Sequence, residues 1–143
     1  MKVLLLLISI GAFLGCARPD YISAEEWQRL NGNPLPANTC TGEFKALGIC
    51  ARLQWTKTPN STEAQEFLLE LQGDTSLFDD LSIILWMPSM GHGSAPVKIE
   101  KLSATQYRIT NVYFIMPGDW DVRMSLKKSG QTLDQLFIPL MVP

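Results

Sequence analysis

One histidine, three cysteines and a formal charge of -2 in 143 residues leave little room for several common kinds of site. A single imidazole excludes centres built from several histidines, among them the commonest catalytic and structural zinc sites. Twelve basic against 14 acidic residues form no footprint for nucleic acid and no polybasic patch for anionic lipid, so nucleic acid is not an expected partner. No apolar run reaches the ~20 residues of a membrane-spanning helix. No repeat of ~30 residues is present, and no strand–helix alternation competes with the reading below. What remains, 46% hydrophobic and 18% charged, is the composition of one ordinary globular domain.

The N-terminus reads as an address and not as part of the fold. Lys2 precedes an apolar run from Val3 to Leu14, the order of a secretory signal. The run ends in Phe13-Leu14-Gly15-Cys16, which resembles a bacterial lipobox, with Phe13 where that pattern prefers leucine. The resemblance implies cleavage before Cys16 and acylation of its thiol, which makes the lipid bilayer a partner. Ala17 follows, where an aspartate is the usual inner-membrane retention signal, so the expected place is the outer membrane, facing the periplasm. An unlipidated signal peptide, or a short anchor with Cys16 incidental, is the competing reading. One acyl chain binds only marginally, so the triacyl form is what would hold the chain firmly. Without Lys2 the mature chain carries 11 basic and 14 acidic residues, which suits a soluble body on a lipid tether.

Three parts follow: a signal peptide over 1–15, a lipidated spacer over 16–48 and a domain over 49–143. Pro19, Pro34 and Pro36 with Asn31, Gly32, Asn33 and Asn38 give the spacer its turn-rich composition. Ser23-Ala24-Glu25-Glu26 has capping-box order ahead of Trp27 and Leu30 and predicts one short helix. Trp27 is expected to pack on the domain; an anchor at the membrane interface is its alternative role. Cys40 and Cys50 enclose Gly42 and Gly48, so the segment can turn back and close a disulfide, worth about 2 to 3 kcal/mol in an oxidising compartment. A redox or metal-binding thiol pair is the other reading, but the gap is unlike CxxC spacing.

From Ile49 the hydrophobic period is two. Ile49, Ala51, Leu53 and Trp55 form one apolar face, and Phe67, Leu69 and Leu71 another. Leu81, Ile83, Leu85 and Met87 make a third strand; Ile84 and Trp86 on its other side predict burial of both faces. Val97 and Ile99 give a fourth. Tyr107 and Ile109 change parity to Val112 and Phe114, as a bulge requires. Trp120, Val122, Met124 and Leu126 make a sixth strand, which Lys127-Lys128-Ser129-Gly130 turns into a seventh with Leu136, Ile138 and Leu140. Seven strands at roughly ten-residue intervals predict an all-β, immunoglobulin-like β-sandwich.

Chemistry concentrates in Met87-Pro88-Ser89-Met90-Gly91-His92-Gly93. Thioether sulfur is soft and neutral and suits Cu(I), imidazole also takes copper, and hard calcium or magnesium would choose neither. Parity assigns Met87 and Met124 to the core. Met90 and His92 beyond the third strand, and Met116 in Met116-Pro117-Gly118-Asp119, are the candidate metal ligands. In an up-and-down walk through seven strands the loops after the first, third and fifth share one end, which would gather these three residues, with Trp86 or Trp120 as a cover. Sulfur as loop filler, and a histidine that binds water or backbone, is the bland alternative.

Leu85-Trp86-Met87-Pro88-Ser89-Met90-Gly91-His92-Gly93, followed by Tyr113-Phe114-Ile115-Met116-Pro117-Gly118-Asp119-Trp120-Asp121-Val122, resembles the YtkA-like domain family, related to the FixH-like proteins. The similarity spans about 49–142 and implies an immunoglobulin-like fold in an envelope protein. Some relatives are linked with copper handling or oxidase assembly, so the resemblance implies a copper role, without the methionine and histidine clusters of high-capacity carriers.

Two function classes follow: a lipoprotein that binds one Cu(I) through Met90, His92 and Met116, or a metal-free interaction module that touches an envelope protein partner. An enzyme is not expected. His92, Ser94 and Asp119 lack a nucleophile elbow or oxyanion motif, and Asp79-Asp80 and Asp119/Asp121 fall in turn or outward-facing contexts.

Overall fold

A computed structural model describes residues 39–143; the expected signal peptide, the acylated Cys16 and the helix carrying Trp27 lie outside the described residues. The described residues form nine strands: β1 (Gly42–Phe44), β2 (Ile49–Trp55), β3 (Gln65–Gln72), β4 (Asp80–Met87), β5 (His92–Gly93), β6 (Lys98–Lys101), β7 (Gln106–Val112), β8 (Gly118–Lys128) and β9 (Gln131–Val142). They lie in two antiparallel sheets, β1-β2-β3-β7-β6 and β5-β4-β8-β9, so the fold is an all-β sandwich.

Alternation decides which side chains fill the space between the sheets. Phe67, Leu69 and Leu71 of β3, Trp120, Val122, Met124 and Leu126 of β8, and Leu136, Ile138 and Leu140 of β9 all face inward and are buried. Each fully buried residue of this size contributes roughly 1.5 to 3 kcal/mol of transfer free energy. Met87 and Met124 belong to that core, as their parity requires.

Seven of the strands coincide with the seven expected, and two are additional. β1 pairs with β2 ahead of the expected domain start at residue 49, and β5 is a two-residue partner for the end of β4. The disulfide joins Cys40 to Cys50 and ties the segment before β1 to β2. Asp134 of β9 accepts from the amides of Ala46 and Leu47 at 2.7 and 3.1 Å, joining the edges of the two sheets at the β1–β2 turn. The parity change in β7 is a bulge: Gln65 pairs with Val112 and Phe67 with Ile109, so one more residue sits on β7 than on β3. Asn111 takes up the extra residue at a φ of 58°, a left-handed conformation that asparagine tolerates.

Two expectations are corrected. β4 is not buried on both faces, because Ile84 is 52% exposed. Asp121 points to the outer side of its sheet, yet it is only 5% exposed, in an ion pair with Arg123 at 2.9 Å.

Candidate functional site

The loops between β2 and β3, between β4 and β5, and between β7 and β8 meet at one pole of the sandwich. Ser61 donates to the carbonyl of Pro143 at 2.9 Å, which brings the β2–β3 loop to the end of β9. Ser89, in the turn after β4, donates through its hydroxyl and its amide to the carboxylate of Asp119 at the start of β8, the amide contact being 3.2 Å. The hydroxyl of Ser94 donates to the carbonyl of Tyr113. Gly118 has a φ of +134°, a backbone conformation that favours glycine, and a β-carbon there would fall 2.6 Å from Cε of Met87, so the start of β8 lies close to the end of β4. The segments that carry Met90, His92 and Met116 are therefore fastened to each other, although more than twenty residues separate the first two from the third.

The three candidate ligands differ in setting. Met90 is at the tip of a tight turn in which its own amide and that of Gly91 donate to the carbonyl of Met87, at 3.2 and 2.9 Å. Gly91 closes this turn at a φ of +67° and Met90 is left 58% exposed. His92 is half-buried and is not a free loop residue: it belongs to β5, directly across from Met87. Its Nδ1 lies 3.3 Å from the carbonyl of Gly93. A carbonyl can only accept, so Nδ1 is the donor in this contact, and Nε2 is the ring nitrogen left for another partner.

Met116 is half-buried and packs against the core. Its carbonyl accepts a 3.0 Å hydrogen bond from the indole Nε1 of Trp120. Trp120 is fully buried and meets Phe114 edge-on at 5.4 Å, and Phe114 in turn lies 6.0 Å from Trp55. This aromatic row gives the Met116 backbone a rigid support. Trp120 thus stands beneath the loop, whereas Trp86 is engaged on the outer face of its sheet, where Arg123 lies 5.1 Å from its ring.

The donor set at this pole is soft: two thioethers and one imidazole, a combination suited to Cu(I). Among the described residues there is no group of three or more His, Cys, Asp or Glu side chains placed to hold a metal ion. The disulfide removes Cys40 and Cys50 from thiol chemistry. Ser94 donates to Tyr113, and Asp119 accepts from Ser89.

Sequence reasoning missed the fasteners. Ser89 and Asp119 read as ordinary loop residues, and nothing in their spacing marks them as partners. It also missed that Tyr113 and Ile115 are exposed on either side of buried Phe114, an alternation that the parity change at Val112 did signal. The described residues contain no helix long and apolar enough to cross a membrane.

No protein-family model matches the chain, and no curated protein matches it. Among solved structures it is similar to the crystal structure of the Lin-41 filamin domain, at 13% identity and a TM-score of 0.39, over 53% of this chain and 79% of that one. A likeness of that degree leaves the reading of function to the chain's own residues.

Proposed function

We propose that this chain is a lipid-anchored envelope protein whose immunoglobulin-like domain binds one Cu(I) at the pole formed by Met90, His92 and Met116. The observation that carries the reading is the pair of hydrogen bonds from Ser89 to Asp119, which fastens the loop bearing Met90 and His92 to the strand that follows Met116. Fixed loops reduce the ordering that a bound ion would otherwise demand. The lipobox-like Phe13-Leu14-Gly15-Cys16 followed by Ala17 supports an outer-membrane anchor facing the periplasm, and the resemblance of the two motif segments to the YtkA-like family supports copper handling or oxidase maturation. Only three ligands are on offer, so the role is the carriage or delivery of a single ion and not storage.

Anaerobic titration of the purified protein with Cu(I) tests this directly. One tight equivalent is expected, lost in His92→Ala and weakened at least tenfold in Met90→Ala and Met116→Ala. A titration that these three variants leave unchanged would overturn the site.

A second reading rests on a separate observation. Met90, Tyr113 and Ile115 are exposed together at this pole, and flexible methionine beside tyrosine is a composition common at protein interfaces. In that reading the domain docks an envelope protein without metal, and Met90→Ala weakens the contact equally with and without copper.

A further inference from the structure

A polar group sealed between two sheets loses its water and must find a partner inside the fold. Among the described residues only two polar side chains are buried, Gln65 and Asp121. Asp121 has Arg123 at 2.9 Å. Gln65, the first residue of β3, is 3% exposed and falls on the inward side of its strand with Phe67, Leu69 and Leu71. Alternation alone would put an apolar residue there.

Half of the Gln65 amide has a partner. Nε2 donates to the carbonyl of Glu63 at 3.0 Å, whereas the buried Oε1 meets no hydrogen-bond donor among the described residues. Exchanging the amide oxygen and nitrogen is no remedy, since it would set Oε1 against the Glu63 carbonyl, acceptor to acceptor. The adjoining inward positions supply no side-chain donor: Val112 is directly across on β7 and Phe67 is next along β3, both fully buried. A buried amide oxygen left bare would shift the folding equilibrium toward the unfolded chain by roughly five- to a hundredfold. Ordered water is the usual partner of such an oxygen. Further polar groups lie at the same level of the sheet. Between the pairs Gln65–Val112 and Phe67–Ile109 one more residue sits on β7 than on β3, and Asn111 carries it at a φ of 58°. Such an insertion interrupts the ladder and takes backbone groups out of it, and an internal water needs two to four polar partners.

We propose that Gln65 holds one internal water, which donates to Oε1 and takes its other hydrogen bonds from the backbone of the Asn111 bulge. A neutral amide oxygen flanked by valine and phenylalanine favours an uncharged donor over a cation. The water joins two connections of the pole. Glu63, which Gln65 grips, ends the loop that Ser61 fastens to Pro143, and β7 leads from the bulge into the segment of Met116. The joint is independent of copper, and it explains why a glutamine occupies an inward position of β3.

Oxygen-17 relaxation dispersion of water with the full chain, and with Gln65→Met for comparison, tests this. Methionine keeps the length of the side chain and removes both polar atoms. The long-lived water signal is expected to fall by about one molecule in the variant. The folding equilibrium should move about tenfold toward the unfolded chain in urea. In the unaltered protein the side-chain amide protons of Gln65 should show a nuclear Overhauser contact with water, of the sign that a long residence gives. That contact reads the site even if Gln65→Met fails to fold. An unchanged long-lived signal in folded Gln65→Met would overturn the proposal. So would a missing water contact in the unaltered protein, or a Gln65→Met protein more stable than it, the result expected of an amide oxygen buried dry.

Discussion

On the outer face of the β1-β2-β3-β7-β6 sheet Arg52 meets Glu70, and Arg108 lies between Glu66 and Glu100. The other sheet turns outward Ile84, Trp86, Phe137 and Met141 around a single cation, Arg123, whose carboxylate partner is buried. Both faces are built on the same alternation, and both back onto the same core. The difference teaches that alternation specifies only the inner half of a sheet. The outer half is free to differ, carrying ion pairs on one side of the molecule and a cation stacked between rings on the other.

The largest expected effect probes the edge at which the two sheets meet. Replacing Cys40 and Cys50 together by serine removes a closure of ten residues and should cost about 2 to 3 kcal/mol in chemical denaturation. The loss should fall on β1 first, seen as faster amide exchange at Gly42–Phe44 than in β8. Uniform loss across both sheets would show that the bridge acts on the whole sandwich and not on its charged edge.

Next in size is a direct contrast between ion pairs on the two faces. Asp121→Asn leaves Arg123 without its charge partner between two rings, and should destabilise by about 2 kcal/mol in urea unfolding. Glu70→Gln, which removes the 3.7 Å partner of Arg52 from a more exposed position, should cost less than about 1 kcal/mol. Equal losses would erase the distinction drawn between the faces.

How much of this was legible in the sequence depends on how far apart the responsible residues lie. Period-two runs located seven strands because each strand's inward residues are its own. The bulge was legible from the shift between Ile109 and Val112 for the same reason. β1 and β5 escaped because three and two residues carry no period, and they are held instead by contacts with β2 and β4. Ile84 misled, since an apolar residue between apolar neighbours looks the same in sequence whether a second layer covers it or solvent meets it. Asp121 misled in the opposite sense, because its partner Arg123 and the flanking rings of Trp86 and Phe137 come from three strands. At the pole, the common location of the loops carrying Met90, His92 and Met116 followed from strand order alone. The Ser89–Asp119 fastening did not, since it pairs residues thirty apart through an ordinary serine and an ordinary aspartate.

The smallest effect should come from Arg108, and salt makes it informative. Its Nε lies 3.6 Å from Glu66 and its Nη1 3.4 Å from Glu100, with all three side chains largely in water. Exposed pairs of this kind are worth at most about 1 kcal/mol and are screened within about 3 Å at 1 M salt. Arg108→Gln should therefore destabilise by less than about 1 kcal/mol at low ionic strength and by almost nothing at 1 M sodium chloride. Arg123→Gln removes a cation whose carboxylate is buried and whose plane is stacked between rings, so little of its loss should disappear in the same salt. A salt dependence shared by the two variants would mean that water reaches both faces alike.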